Sequence, residues 1–185
     1  GDRDLIAVNT VLERAGAKQF IPNNPTALAR GRAVHTATQY LDEQDLDWGS
    51  IKEIERSIGC PIEPYIRAWE RFRTETGFVP REIETPVWHR SFLYAGTPDR
   101  VGEFPGGKTA VVDLKTGSIP KWTALQTAAY AEAIESQARA NLRHHRRYVV
   151  SLKDDGNYGM REFTGQEDRN VFLAMLTGLR WIDNI

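Results

Sequence analysis

The sequence predicts an α/β sandwich built around a mixed sheet, and three observations predict it. Apolar residues recur at helical spacing through residues 1–78, the period changes to two from Val79, and an Ala-rich helical stretch then interrupts the run of strands. The resulting order is helices, three strands, helix, two strands, helix. That order is neither a barrel nor a regular strand–helix repeat.

Each element has a local reason. Asn24-Pro25 starts a helix, with Asn as the cap and Pro at the first helical position, where its missing N–H costs nothing. This helix runs to about Leu41 on a stripe of Ala27, Val34, Ala37 and Leu41, and the polar stretch 42–49 ends it. Two shorter helices follow over Ser50–Ile58 and Pro61–Thr76, the second burying Ile62, Tyr65, Ile66, Trp69 and Phe72, with Gly77 closing it. Arg81–Arg90, Phe92–Phe104 and Thr109–Thr116 read as three consecutive strands, the last two joined by Pro105-Gly106-Gly107. A helix from Trp122 to about Ala138, strands at Arg147–Leu152 and Tyr158–Phe163, and a closing helix at Gln166–Trp181 complete the chain. That last helix turns Val171, Phe172, Met175, Leu176 and Leu179 inward. Trp48, Trp69, Trp88 and Trp181 read as packing residues. At 185 residues the expectation is one domain, with 1–78 mainly helical, 79–165 carrying the sheet and 166–185 closing it.

Composition narrows the function. Lys and Arg number 24 against 25 Asp and Glu, so an anionic partner must be met by a local patch rather than by net charge. The single cysteine, Cys60, excludes a disulfide framework, a four-cysteine zinc site and a cysteine-ligated iron–sulfur cluster supplied by this chain alone. No apolar run approaches the roughly 18 residues of a membrane span, and no basic-then-apolar leader opens the sequence. A cytoplasmic location is expected, the host's if the chain is viral.

The informative segment is Ala110-Val111-Val112-Asp113-Leu114-Lys115-Thr116-Gly117. Alternation on a strand puts Asp113 and Lys115 on one face and Val112 and Leu114 on the other, in the core. A carboxylate to hold a hard cation beside an ammonium to meet developing charge suits phosphodiester hydrolysis. Taken alone, the same pattern also describes a surface ion pair before a turn. Asp99, in Gly96-Thr97-Pro98-Asp99-Arg100, lies upstream on the strand that the hairpin pairs with this one, so both carboxylates can reach one sheet edge. A divalent cation would relieve their repulsion; the competing reading is a turn Asp paired with Arg100. Gly31 and His35 share one helix face, as do Gln126 and Tyr130. Their competing readings are a surface histidine beside a packing glycine and a polar edge on an Ala-rich helix.

Gly-x-x-x-His, Gly-x-x-Asp, Asp-x-Lys-Thr-Gly and Gln-x-x-x-Tyr, in this order from about Thr10 to Trp181, resemble the RecB-like branch of the PD-(D/E)xK nuclease superfamily, and most of all its phage-type exonucleases. The resemblance implies a restriction-endonuclease-like core, a central mixed β-sheet flanked by α-helices. It implies that His35, Asp99, Asp113 and the Leu114 backbone carbonyl are metal ligands, that Lys115 is the catalytic lysine, and that Gln126 and Tyr130 shape the site and contact the scissile strand. A further acid precedes the middle motif in this family. Glu84 is the natural candidate, with Glu82 two residues earlier as the alternative. Mg²⁺, with Mn²⁺ as a substitute, is the implied cofactor, and the cysteines of the iron–sulfur members are absent. The implied reaction is hydrolysis of DNA from its ends by in-line attack of a metal-activated water, in recombination or repair. A single-strand annealing recombinase is the family-level partner, and an oligomer is compatible.

Arg30, Arg32 and Lys121, beside the expected site, are the phosphate candidates, and Trp122 offers a ring to stack on a base, its competing reading being a core anchor at a helix start. The cluster Arg139, Arg143, His144, His145, Arg146 and Arg147 reads instead as a solvated connection. Two other classes compete: a catalytically inactive nuclease-fold DNA-binding or scaffold module, and an unrelated α/β protein binding a phosphorylated metabolite. The intact Asp99, Asp113 and Lys115 weigh against the first. The lack of a G-x-x-x-x-G-K-[ST] loop weighs against the second.

Overall fold

A strand with a run of apolar residues at its centre can be covered on both faces, and this is what Lys108–Lys115 does with Ala110, Val111 and Val112. The computed structural model describes residues 5–18, 24–137 and 145–183. In chain order its elements are β1 (Ile6–Ala7), α1 (Val8–Arg14), α2 (Pro25–Asp42), α3 (Trp48–Ile58), α4 (Glu63–Thr76), β2 (Val79–Ile83), β3 (Val87–His89), β4 (Tyr94–Gly96), β5 (Arg100–Phe104), β6 (Lys108–Lys115), α5 (Thr123–Gln137), β7 (Arg146–Leu152), β8 (Tyr158–Glu162) and α6 (Glu167–Asp183). A five-stranded mixed sheet runs β2-β5-β6-β7-β8, and a three-stranded sheet runs β1-β4-β3. Only β6 and β7 are parallel in the larger sheet; α5 makes their crossover.

Alternation along β6 assigns its two faces. Ala110, Val112 and Leu114 enter the core under α2, α3 and α4, with Val34, Ile51, Ile66, Trp69 and Phe72. Val111 enters the opposite core with Val11, Ala129, Tyr130, Phe172 and Leu176 of α1, α5 and α6. On α4 the ring of Trp69 stacks on Phe72 at 5.1 Å, and Phe78 meets Trp69 edge-on at 6.0 Å. The Asn24 side chain caps α2 by accepting from the Ala27 N–H at 3.1 Å, with Pro25 at the first position. Gly77 ends α4 in the left-handed conformation, φ 69°, which a side chain would resist.

The helical expectations hold within two residues, but two of the strands do not. Arg81–Arg90 is two strands, β2 and β3, in different sheets, and Phe92–Phe104 likewise divides into β4 and β5. Thr85-Pro86 and Thr97-Pro98 sit at the two breaks, where proline removes a ladder donor, and Glu84 takes φ 47°. Residues 1–78 carry α1 to α4 and, in addition, β1, which pairs in parallel with β4. Trp69 is fully buried, whereas Trp88 is 45 % and Trp181 83 % exposed. On α6 Val171 is exposed, because Phe172, Leu176 and Leu179 take the inner face. No described helix is long and apolar enough to cross a membrane.

Candidate active site

The site forms where β5 begins and β6 ends, because the antiparallel register lays Arg100 opposite Val112 and so brings Asp99 beside the last residues of β6. The Asp99 carboxylate accepts from the Leu114 N–H at 2.6 Å. From α2, His35 reaches the same edge. Its Nε2 lies 3.1 Å from the Leu114 carbonyl oxygen, and its Nδ1 lies 3.5 Å from Asp99 Oδ1 and 4.0 Å from Glu84 Oε1. Glu84 arrives at the end of β2, where its main-chain N–H donates to the Asp99 carbonyl at 3.1 Å. One ligand atom each from His35, Glu84 and Asp99 falls within 4.8 Å of the others. Glu82 is exposed on the β2 strand, so the structure brings Glu84 to this cluster and leaves Glu82 outside it.

Behind that cluster lies a buried ion pair. Asp113, 2 % exposed, holds the Lys115 ammonium at 2.5 Å. Burial pushes the Asp113 carboxyl up to about 6; Lys115 opposes this and the Asp99 charge adds to it. Burial also acts upward on Asp99, but His35 and Lys115 and the Leu114 N–H together hold it down to about 2. Burial works against the His35 cation, yet Asp99 outweighs it and His35 is raised. Burial likewise opposes the Lys115 charge, and Asp113 and Asp99 more than restore it, so its pKa is raised. Burial and the neighbouring Asp99 raise Glu84, against Arg100.

Gln126 and Tyr130 sit on the buried face of α5, 6 % and 3 % exposed. Gln126 Nε2 donates to the Tyr130 hydroxyl at 3.2 Å and to Asn9 Oδ1 of α1 at 3.1 Å. The Tyr130 ring presses on Gly96, where a Cβ would lie 2.4 Å from Tyr130 Cε1; this is why that motif position is glycine. Buried this far, the two residues back the site from behind and present almost no surface to a scissile strand. Gly31 is different. A Cβ there would make only ordinary contact, 3.7 Å, with Thr116 Oγ1, so the glycine instead lines an open groove of about 680 Å³ with Arg32, His35, Glu84 and Thr97.

The basic candidates divide. Arg32 and Lys121 are exposed. Arg30 is committed inward, donating to the Thr116 carbonyl at 3.1 Å with its guanidinium over the Tyr65 ring. Trp122 is half-buried, with the Lys18 and Lys115 ammonium groups 5.2 and 5.4 Å from its ring centre, so its face is already taken. Of the 139–147 cluster, Arg139, Arg143 and His144 lie outside the described residues. Arg147 is not solvated: it is 9 % exposed and bonds the Ala124 and Gly165 carbonyls and Asp168. Two partners escaped sequence reasoning. Asn9 holds Gln126, and Asp42 forms a fully buried pair with Arg100. The signal for the second was present: an Arg opening an apolar strand needs a buried acid.

The donor set fits a hard divalent cation. Carboxylate oxygens, one imidazole and a main-chain carbonyl converge, the Asp113 carboxylate lies buried beside them, and no thiolate is near. A family model of the PD-(D/E)XK nuclease superfamily matches residues 10–172. Among solved structures, a candidate exonuclease from Eubacterium rectale superposes with a TM-score of 0.54 at 11 % identity, over 96 % of this chain and 80 % of that one. An alkaline exonuclease from Laribacter hongkongensis, in complex with dAMP, aligns with a TM-score of 0.40 at 17 % identity, over 95 % and 88 % of the two chains. No curated protein sequence matches the chain. With the four motifs in order on matching elements, and the family model spanning them all, the chain belongs to the PD-(D/E)XK nuclease superfamily.

Proposed function

We propose that this chain is a single-domain, divalent-metal-dependent DNA exonuclease that hydrolyses phosphodiester bonds from the ends of linear DNA, with Mg²⁺ as the physiological cation and Mn²⁺ as a substitute. The observation that carries the proposal is the convergence of His35, Glu84 and Asp99 within 4.8 Å, beside the buried Asp113–Lys115 pair. His35, Glu84, Asp99, Asp113 and the Leu114 carbonyl would hold the cation. When bound, it supplies Lewis-acid polarisation of the phosphate and a water of lowered pKa.

The chain's own groups do the rest. Lys115 carries a fixed positive charge, held by Asp113, toward the phosphate oxygens where negative charge builds. Gln126 and Tyr130 set the wall behind Asp113 and keep bulk water from that side. Arg32, on the groove beside Gly31, and exposed Lys121 meet the neighbouring phosphates. Such a product suits recombination or repair in the cytoplasm, where a single-strand annealing recombinase would take up the exposed strand.

Incubation with end-labelled linear duplex and with closed circular duplex, each with Mg²⁺, Mn²⁺ or EDTA, tests the reading. Release of nucleotides from linear DNA with either cation, and an intact circle, is expected. Loss of the circle would make the protein an endonuclease. No metal-dependent loss of either substrate would leave a nuclease-fold binding module.

A further inference from the structure

One buried cation outside the expected catalytic set reaches Asp99 and Glu84 directly and His35 through the Thr38 hydroxyl. Arg100 is fully buried and follows Asp99 directly. Its Nη1 donates to the Asp99 main-chain carbonyl at 2.6 Å and lies 3.6 Å from Glu84 Oε1. Its Nη2 donates to Thr38 Oγ1 at 3.2 Å, and that hydroxyl donates in turn to the His35 carbonyl at 2.9 Å. Its Nε is held by Asp42, a carboxylate with no exposed surface that also accepts from Trp69 Nε1 at 2.9 Å and Arg73 Nη1 at 2.6 Å. A buried ion pair is a poor device for stability, because desolvating both charges offsets most of their attraction. A planar guanidinium, by contrast, can address several acceptors at once in fixed directions, which an ammonium cannot.

We propose that Arg100, anchored by Asp42, is a positioning residue that keeps His35, Glu84 and Asp99 in register to receive a divalent cation. The inference rests on the metal-site reading above. The pair ties the C-terminal half of α2, which carries His35, to the end of β2 and the start of β5, where Glu84 and Asp99 sit.

The test measures Mn²⁺ affinity by titration calorimetry, together with thermal unfolding, on the whole chain. Variants are Arg100→Lys, the double change Asp42→Leu with Arg100→Met, and Arg73→Met as a control that loosens Asp42 without touching the cluster. The double change removes both buried charges together but leaves the Trp69 N–H and Arg73 without Asp42, so it is expected to melt cooperatively at a lower temperature than wild type. Its Mn²⁺ dissociation constant should rise about 10–100-fold, the range for removing groups that orient ligands. Arg100→Lys should show the same direction, and Arg73→Met should keep wild-type affinity. Wild-type Mn²⁺ affinity in a folded Arg100→Lys or double variant overturns the inference, as does an equal loss in Arg73→Met. If the double variant does not fold, Arg100→Lys against Arg73→Met decides. Absence of Mn²⁺ binding by the wild type would instead overturn the metal-site reading, and this inference with it.

Discussion

Asp99, just before β5, and Asp113, on β6, lie at the same edge of one sheet, both largely buried, and the protein treats them oppositely. Around Asp99, the His35 imidazole, the Lys115 ammonium and the Leu114 N–H all favour the anion, and the carboxyl is held at about 2. Around Asp113, burial and the Asp99 charge favour the acid, only Lys115 strongly opposes them, and the carboxyl rises to about 6. Two identical side chains are thus given different tasks by their surroundings. The Asp99 region, with His35 and Glu84, gathers the charge that the proposed cation would meet. The Asp113–Lys115 region is an ion pair whose carboxylate takes up a proton far more readily than Asp99 does.

The largest expected effects come from removing either charge. Asp99→Asn and Asp113→Asn should each reduce cleavage of linear duplex to background while the circular dichroism spectrum stays native, since Mg²⁺ prefers anionic oxygen. Retained cleavage in purified Asp113→Asn would make that region a structural pair and erase the comparison. Lys115→Ala should lower the cleavage rate on the order of 10²–10⁴-fold. Its DNA affinity in Ca²⁺ should stay near wild type, because one ammonium is a small part of a phosphate footprint. Equal losses in rate and affinity would show that Lys115 binds rather than catalyses. His35→Ala sharpens the other side. Its rate should fall and recover as Mn²⁺ is raised, and wild-type rates at every Mn²⁺ concentration would remove His35 from the cation site.

A smaller effect tests the two carboxyls without DNA. Asp113 ordinarily titrates near 3.8 and does so at about 6 when folded, so across that window the folded chain holds the extra proton. Stability should therefore rise as pH falls through it. His35, also raised, adds in the same direction: its contribution is complete below its ordinary value and lost as pH climbs through the folded one. Asp99 opposes both only below about 4, where its depressed pKa costs stability as protons return. His89, which burial pushes down, opposes both as pH falls through its ordinary range, so the contrast is read as a difference. In EDTA the change in melting temperature from pH 7.5 to pH 5 should be more favourable for the wild type than for Asp113→Asn. In Mn²⁺ the trend should reverse, because binding expels the Asp113 proton. The same pH dependence in EDTA for the wild type and for Asp113→Asn would contradict the contrast.

The smallest effect concerns the two motif glycines. Gly31→Ala has room and sits inside a helix, so it should stabilise by about 0.5–1 kcal/mol in chemical unfolding while weakening DNA binding at the groove. Gly96→Ala meets the Tyr130 ring and should destabilise by about 1–3 kcal/mol. Unchanged DNA affinity in Gly31→Ala would return that position to simple helix packing.

Much of this was legible because it is local. The Asn24-Pro25 cap, the α4 stripe ending at Gly77 and the alternation that puts Asp113 and Lys115 together depend on neighbours within a turn or two. The motif order on those elements named the cluster, including Glu84 as the favoured extra acid. What the residues could not show is where chain segments distant in sequence meet. Thr85-Pro86 and Thr97-Pro98 send successive strands into two different sheets, so a continuous period of two concealed two breaks. Trp181 carries the same indole as Trp69, and only packing decided that one is covered and the other is 83 % exposed.

The sequence by itself determined the elements, the face each presents and the chemical types gathered on one strand end, because dihedral preference and side-chain period act over a few residues. Tertiary structure alone decided which of those groups touch. It set Glu84 rather than Glu82 beside His35, turned Arg30 and Trp122 inward, buried Tyr130, and placed Arg100 against Asp42, 58 residues away. Such pairings follow from sheet register and helix docking, which minimise buried, unpaired charge over the whole chain at once. No window of sequence contains that minimum.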